Sequence, residues 1–250
     1  MEDNWQFYFS YRDGKIASIL VNSALAEIAP DTTRPWLLGV RIKMKRPNQN
    51  GLSSDAEGAT FDRIEPQLSA ALKDKFNGIG VGSVRTNGWW ELYYYASRAD
   101  GLATFVVQSL HEFTGYEIMT FSKQDKAWTV YGTNLFPARP KEIHQILNRG
   151  VIENLKKLGS DLTRPHRVDH TLLFPTAEKR DEAISLVSKE GFEITDQYES
   201  EPSDASRFVL QISRNDSPEL SVIQPVVFHL IDLATAIGGE YDGWGAMVIT

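Results

Sequence analysis

Residues 79–95, IGVGSVRTNGWWELYYY, decide the fold of the N-terminal half of this chain. Two runs rich in β-branched and aromatic residues, Ile79–Arg85 and Trp89–Tyr95, are joined by Asn87-Gly88. Because Asn-Gly readily adopts the positive φ angles of a two-residue turn, this arrangement predicts a β-hairpin. A helical pattern and a further strand pattern lie on each side of it, so the order of elements from Trp36 onward is β-α-β-β-α-β.

The flanking elements follow from the spacing of apolar residues. Strands are predicted near Trp36–Met44 and Tyr116–Ser122, and helices near residues 55–76 and 101–112. Ser54 and Glu57 match the capping box that begins a helix. The chain opens with another hairpin, Trp5–Val21, which turns at an Asp-Gly pair. Residues 128–131 could add one more short strand.

The C-terminal half repeats the order of elements. Strands are predicted over Val168–Phe174, Phe192–Tyr198, Arg207–Ser213 and Glu240–Ile249, and helices from Thr176 to Gly191 and from Pro225 to Ile237. Two prolines near Ala138 separate an N-terminal domain, 1–138, from a C-terminal domain, 139–250. We therefore expect an α+β fold with two ferredoxin-like βαββαβ domains, the first with an extra N-terminal β-hairpin, joined by a helix.

The joining helix is predicted over Lys141–Lys157. Its charges are mixed, and its apolar residues recur at helical spacing. The residues expected to face inward are Ile143, Ile146, Leu147, Ile152 and Leu155.

The last strand contains the hexapeptide EYDGWG, residues 240–245. Glycine weakens a strand unless the backbone bulges or another group approaches closely, so its two glycines predict a local backbone requirement. Trp244 is expected in the core, where a large aromatic ring can pack against a helix. Tyr241 and Asp242 suit either a capped turn or the rim of an interaction surface.

Four ordered segments in the C-terminal half resemble the regulator of ribonuclease activity B (RraB) family. They are Gly159-Ser160-Asp161, His170, GFEITD at 191–196 and the terminal EYDGWG. The resemblance implies a small acidic bacterial domain that binds ribonuclease E and inhibits it. The N-terminal half resembles a bacterial family of conserved domains of unknown function, through WQFY at 5–8, NGLSS at 50–54 and TNG at 86–88. That second resemblance implies a domain boundary and no chemistry.

Composition limits the function classes. The chain has 250 residues, 42% hydrophobic and 24% charged, which is typical of soluble globular proteins. No apolar run approaches the roughly 20 residues that span a bilayer. No secretory signal is visible at the N-terminus, and no cysteine is present, so disulfides and thiolate chemistry are excluded and a cytoplasmic location is expected.

Charge is divided unevenly along the chain. Residues 160–250 carry seven Lys and Arg against sixteen Asp and Glu, a net charge of −9, whereas residues 1–159 have a net charge of +2. An acidic half attracts basic partners and repels nucleic acid.

The residues do not assemble into a convincing catalytic or metal site. His166 and His170 lie on or beside a strand, where four residues separate them by roughly 13 Å. Asp169 and His170 are neighbours on a strand and point to opposite faces. The glycine-rich run Gly78–Gly82 enters a strand, with no helix behind it to bind a phosphate. We expect no enzymatic activity, no metal and no cofactor.

Two functions remain open from the sequence. The favoured one is a non-catalytic regulator that binds a basic protein, such as ribonuclease E, through an acidic surface. Its candidate residues are Glu199, Glu201, Asp204, Tyr241, Asp242 and Trp244. The alternative is RNA binding by a basic and aromatic sheet face in the N-terminal domain. Its candidate residues are Arg41, Lys43, Lys45, Trp89, Tyr93 and Tyr95. The partner's identity and the oligomeric state are not determined by the sequence.

Overall fold

The computed structural model describes residues 2–200 and 207–249, and its fold is mixed α+β, as the sequence predicts. Backbone contacts divide the chain into two compact units, Met1–Ala138 and Arg139–Thr250. Each unit contains one antiparallel sheet. In the described part of the chain, every helix is too short or too polar to cross a membrane.

The N-terminal unit is built on a six-stranded antiparallel sheet. Its strands are β1 (Trp5–Arg12), β2 (Lys15–Asn22), β3 (Trp36–Lys43), β4 (Ile79–Thr86), β5 (Trp89–Ala96) and β6 (Ile118–Gln124). Its helices are α1 (Asp55–Phe76) and α2 (Leu102–Ser109). The strands lie side by side in the order β1-β2-β4-β5-β3-β6, so the opening hairpin extends the sheet beyond β4.

Both predicted hairpins of this unit are confirmed. Thr86 pairs with Trp89 across a turn in which Asn87 and Gly88 have φ angles of 49° and 78°. The β1–β2 turn is similar, with φ angles of 48° at Asp13 and 72° at Gly14. These positive angles explain why the two turns use Asn-Gly and Asp-Gly.

The main core of the N-terminal unit lies between the sheet and its two helices. Leu38, Val40 and Ile42 of β3 face α1 and α2, and so do alternate residues of β5, beginning with Trp90. The intervening residues of β3 and β5 therefore face the opposite side of the sheet, because side chains alternate along a strand.

Two local predictions in this unit are wrong. The capping box does not form, because the Glu57 carboxylate accepts hydrogen bonds from the backbone N–H groups of Lys45 and Arg46, at 2.8 and 2.9 Å. The short strand expected over residues 128–131 does not form, and a π-helical turn, Val130–Leu135, lies there instead. That turn forms because the Asp125 side chain accepts hydrogen bonds from two backbone N–H groups just before it and at its start.

The C-terminal unit has a four-stranded antiparallel sheet. Its elements are α3 (Pro140–Lys157), β7 (His166–Phe174), α4 (Ala177–Val187), β8 (Glu193–Glu199), β9 (Phe208–Asp216), α5 (Leu220–Ala236) and β10 (Glu240–Ala246). The strand order is β10-β7-β9-β8, which places β10 and β8 at the two edges. The Thr176 cap is confirmed, since its hydroxyl accepts from the Lys179 N–H at 3.3 Å.

Helix α5 begins earlier than the sequence predicts. Pro225 lies inside the helix and not in its first turn. The carbonyl oxygen of Glu219 accepts hydrogen bonds from the N–H groups of Val222 and Ile223, both at 2.9 Å, and these bonds begin the helix at Leu220.

The inward face of α3 is partly different from the prediction. Ile152 and Leu155 are buried as expected, but Ile143 and Leu147 are 40% and 48% exposed. Four polar residues of α3 are buried instead, namely Glu142, His144, Gln145 and Asn148. The spacing of the apolar residues predicts the wrong buried face for α3, because groups on β10 form hydrogen bonds with polar side chains of the helix.

Candidate functional site

The EYDGWG segment forms a β-bulge on β10. Tyr241 lies opposite Leu172, and Gly243 lies opposite the preceding residue of β7, Thr171, so Asp242 is the extra residue. Gly243 has a φ of 157°, which residues with a side chain rarely adopt. The backbone requirement predicted from the glycines is therefore a bulge.

Five polar side chains meet beneath this bulge and form what we call the polar seam. They are His144 and Asn148 of α3, His170 of β7, and Tyr241 and Trp244 of β10. His144 Nε2 donates to the Tyr241 carbonyl oxygen at 3.3 Å, and Trp244 Nε1 donates to Asn148 Oδ1 at 2.8 Å. The Tyr241 hydroxyl and His170 Nδ1 share a hydrogen bond of 2.8 Å. The seam thus joins helix α3 to strand β10.

Burial keeps the ionisable groups of the seam neutral. It lowers the pKa of His170 to about 3, with a further contribution from the positive charge of Arg214. Burial also lowers the pKa of His144 and raises the pKa of Tyr241. Within the described residues, His144 Nδ1, His170 Nε2 and Asn148 Nδ2 are buried without a hydrogen-bond partner. The hydrogen bonds that join His144 and Asn148 to β10 are therefore made in an enclosed, uncharged setting, which suits them to holding α3 in register on that strand.

His144 and Asn148 are not among the residues that the sequence patterns predict to be functional. A signal for them was present, because two polar residues four positions apart lie on one face of a helix. That spacing shows which face they share and does not show whether the face is buried.

The structure separates the protein-binding candidates into two groups. Tyr241 is buried and Trp244 half-buried against the core, whereas Asp242 is exposed on the bulge. Glu199 is exposed at the end of β8, on the opposite edge of the sheet from β10. Glu201 and Asp204 lie outside the described residues.

Strand β8 carries an exposed acidic edge. Asp196 and Glu199 are exposed, and within the described chain neither carboxylate forms an ion pair. Tyr198 lies between them along the strand and is 43% exposed. Charges on an edge strand prevent unwanted strand pairing, and they also attract a basic protein surface.

The RNA-binding candidates share one sheet face, but their charges are paired. Lys43 lies opposite Trp89 in the β3–β5 register, and Arg41 lies opposite Glu91. Arg41 forms an ion pair with Glu91 at 2.9 Å, and Lys43 forms one with Glu117 at 2.9 Å. Both cations also lie over the half-buried Trp89 ring, at 4.8 and 5.7 Å from its centroid.

The remaining RNA-binding candidates, Lys45, Tyr93 and Tyr95, are buried or already make contacts within the unit. The Lys45 ammonium lies 4.0 Å from the centroid of the Tyr116 ring and donates to a backbone carbonyl at 2.9 Å. Tyr93 is buried, and its hydroxyl donates to Glu91 at 2.5 Å. Tyr95 is fully buried.

An aromatic segment, Asp125–Leu135, lies over this part of the sheet, and we call it the aromatic cover. The Trp128 ring stacks on Tyr95 with a centroid distance of 4.2 Å and an angle of 12°. The Tyr95 hydroxyl donates to Asp125 at 2.5 Å, and the Tyr8 hydroxyl donates to the Leu135 carbonyl at 3.0 Å. A base could stack on Tyr95 only if the cover moved away.

The histidines do not form a metal site in the part of the chain that the structure describes, where no cluster of three potential His, Asp or Glu ligands occurs. His166 Nε2 lies 2.7 Å from the Ser160 hydroxyl, and its Nδ1 lies 2.8 Å from the Arg164 carbonyl oxygen. His170 contacts Tyr241 instead.

The two units define a mixed α+β protein with a covered N-terminal sheet and an acidic C-terminal edge. Comparison with known proteins assigns a family to each unit. Residues 3–136 match the family of unknown function DUF695, and residues 145–246 match the family described as regulator of ribonuclease activity B. The chain belongs to both families.

Two relatives carry the name regulator of ribonuclease activity B. The protein from Xenorhabdus nematophila is 32% identical over 100 residues, which cover 39% of this chain and 70% of the relative. The protein from Escherichia coli K12 is 32% identical over 98 residues, which cover 39% of this chain and 71% of the relative. Both alignments concern the C-terminal part of this chain.

One solved structure that is similar to this chain matches it only weakly. The crystal structure of an unknown protein from Galdieria sulphuraria covers 86% of this chain and 99% of its own, with 13% identity and a TM-score of 0.24. A likeness at this level does not establish a shared fold.

Proposed function

We propose that this chain is a non-catalytic regulator that binds a ribonuclease of the ribonuclease E type through its C-terminal unit. The observation that carries this proposal is the match of residues 145–246 to the RraB family, together with relatives named as regulators of ribonuclease activity. Because the match spans almost all of the unit, the relatives' role is transferred to the unit and not to a short motif. We further propose that it acts in the cytoplasm, where it would meet such an enzyme.

The contact surface in this proposal is the acidic edge on β8. Asp196 and Glu199 are exposed and form no ion pair among the described residues, and Tyr198 adds an exposed aromatic ring between them. Exposed carboxylates gain most from a partner that supplies the opposite charge. Glu201 and Asp204 follow β8 in the sequence and lie outside the described residues, so this proposed surface is argued from Asp196, Tyr198 and Glu199 alone.

The EYDGWG segment has a different role in the proposal. Tyr241 and Trp244 hold α3 against β10 through the polar seam, and of the three predicted residues there Asp242 alone is exposed. In this proposal Tyr241 and Trp244 stabilise the fold of the unit, and Asp242 makes a minor contact with the partner.

We also propose that both units are independently folding ferredoxin-like domains. In each sheet the first strand of the β-α-β-β-α-β order lies between the third and the fourth, and the second lies beside the third. This order is that of a split β-α-β fold. Each unit has its own apolar core, which supports independent folding of 1–138 and 139–250.

The proposal is tested by following the cleavage of a labelled RNA by purified ribonuclease E as the full chain is added. We expect inhibition that weakens as salt is raised, because exposed charges are screened. Replacing Asp196→Lys together with Glu199→Lys should weaken inhibition by about tenfold or more.

The matched control changes the charge equally on the other unit. Asp74 and Asp100 are exposed in the N-terminal unit, and Asp74→Lys with Asp100→Lys should leave inhibition unchanged. If the unaltered chain neither binds the enzyme nor changes the cleavage rate, the regulatory proposal is wrong. Inhibition that survives the β8 reversal would retain the function and reject this surface.

A further inference from the structure

The N-terminal unit contains a cavity of about 490 Å³ that the proposed regulation does not use. It lies where the added hairpin β1–β2 carries the sheet past the flank of α1. Trp5 and Leu20 of the hairpin, Glu65 and Ser69 of α1, and Gly80 of β4 all contribute to its walls. Ligand pockets in proteins have volumes of about 300–1,000 Å³, so the space suits a small molecule.

The apolar walls of the cavity come from both sides. Trp5 is 40% exposed, and its ring is accessible from the cavity. Leu20 and Pro66 add aliphatic surface. On the floor, Gly80 packs closely against the Tyr94 ring, since a Cβ atom there would lie only 3.3 Å from it. These walls would enclose an apolar or aromatic body.

One charged group in the cavity has a countercharge nearby but no direct ion pair. The Glu65 carboxylate is half-buried, and no hydrogen bond or ion pair to it exists among the described residues. Arg85, the cation whose charge acts on this carboxylate, lies instead over the rings of Trp90 and Phe61, at 5.1 and 5.7 Å from their centroids. Burial raises the pKa of Glu65, the Arg85 charge opposes this rise, and the Asp62 charge adds to it.

Further polar groups line the same space. The Asp3 carboxylate accepts a hydrogen bond from Asn22 Nδ2 at 2.8 Å, which leaves its second oxygen available to a ligand. The Ser69 and Tyr94 hydroxyls are hydrogen-bonded to each other at 3.0 Å. The cavity therefore combines two carboxylates with an aromatic ring, a set that favours cations over anions.

We propose that this cavity binds a small organic cation, namely a free primary amine or guanidine with an apolar or aromatic body. Glu65 pairs with the cation, and Trp5, Leu20 and Pro66 enclose the body. This site is independent of the ribonuclease proposal, because every residue that lines it belongs to the DUF695 unit.

The test uses three probes of matched size and different charge, titrated into the full chain by calorimetry. They are 2-phenylethylamine, which is cationic, 2-phenylethanol, which is neutral, and 3-phenylpropanoate, which is anionic. We expect the amine to bind at least about tenfold more tightly than the other two, a difference of about 1.4 kcal/mol. Equal affinity for all three, or no binding of the amine, would overturn the proposal.

Two variants identify the residue responsible. Glu65→Gln should reduce affinity for 2-phenylethylamine about tenfold while leaving the weak binding of 2-phenylethanol unchanged. Asp74→Asn, an exposed change on the same helix, should alter neither affinity. Because the Glu65 carboxylate forms no hydrogen bond or direct ion pair among the described residues and loses only its electrostatic interaction with Arg85, the Gln variant should melt within a few degrees of the unaltered chain. Unchanged amine binding in a folded Glu65→Gln variant would reject the site.

Discussion

The two sheets share one order of four strands and differ in the groups on the face opposite their helices. In the N-terminal unit, the aromatic cover buries part of that face, with Trp128 stacked on Tyr95. In the C-terminal unit, the corresponding face presents polar side chains of β7, among them Arg167, Asp169 and Thr171. Strand order is therefore a poor guide to function here, because the accessible surface is set by the chain segments on either side of the four strands.

The largest effect we expect comes from opening the aromatic cover. Trp128→Ala should reduce the free energy of unfolding of the N-terminal unit by about 3–5 kcal/mol, because a fully buried indole leaves a cavity. Trp89→Ala, on the same sheet face but half-buried, should cost about 1 kcal/mol. Urea unfolding followed by tryptophan fluorescence can measure both, since five of the six tryptophans lie in this unit. Equal losses for the two variants would show that the cover is not part of the core.

The next effect concerns the polar seam of the C-terminal unit. Trp244→Ala should destabilise that unit by about 2–3 kcal/mol, because the ring is half-buried and Asn148 Oδ1 loses its donor. Asp242→Ala should change stability by less than about 0.5 kcal/mol, since Asp242 is exposed. Amide hydrogen exchange within residues 139–250 measures both changes. A Trp244→Ala variant of unchanged stability that no longer binds its partner would move Trp244 from the core to the interface.

Acid should weaken the C-terminal unit before the N-terminal one. The pKa of His170 is about 3 in the folded state, below its ordinary value of 6.5, so the unfolded chain binds more protons between these values. Stability should therefore fall as the pH drops below 6.5, by about 1.4 kcal/mol for each pH unit within the window.

The N-terminal cover should respond only at lower pH. Burial raises the pKa of Asp125, but hydrogen bonds from Tyr95 and the backbone outweigh it and leave the pKa below its usual value. This stabilisation is lost only as the pH falls below about 4. Unfolding of the full chain at pH 7, 6 and 5 distinguishes the two units. His170→Asn should reduce the dependence and leave the part due to His144, while His229→Asn, at an exposed position, is the control.

The smallest effect is expected in RNA binding. Labelled single-stranded RNA titrated into the chain at low salt should show no saturable binding, because Arg41 and Lys43 are already paired with carboxylates. Tight binding that is lost by about 1–3 kcal/mol in Trp89→Ala would instead establish the RNA-binding alternative. The same titration with Tyr95→Phe is a control, since Tyr95 is beneath the cover.

Local patterns in the sequence were sufficient for much of the architecture. The Asn-Gly and Asp-Gly pairs determine the two hairpin turns, and Thr176 determines the start of α4. The glycines of EYDGWG correctly signal an irregular backbone. These features depend on neighbours along the chain, so their physical cause is contained in a few consecutive residues.

Tertiary structure alone decided which faces are buried. The spacing of Ile143 and Leu147 predicts an inward apolar face for α3, yet partners on β10 turn His144 and Asn148 inward. Similarly, the alternation in β5 places Trp89, Tyr93 and Tyr95 on one face, but only the packing of Trp128 shows that this face is partly covered. Periodicity determines which side chains share a face, whereas hydrogen bonds and packing between residues distant in the chain determine the surroundings of that face.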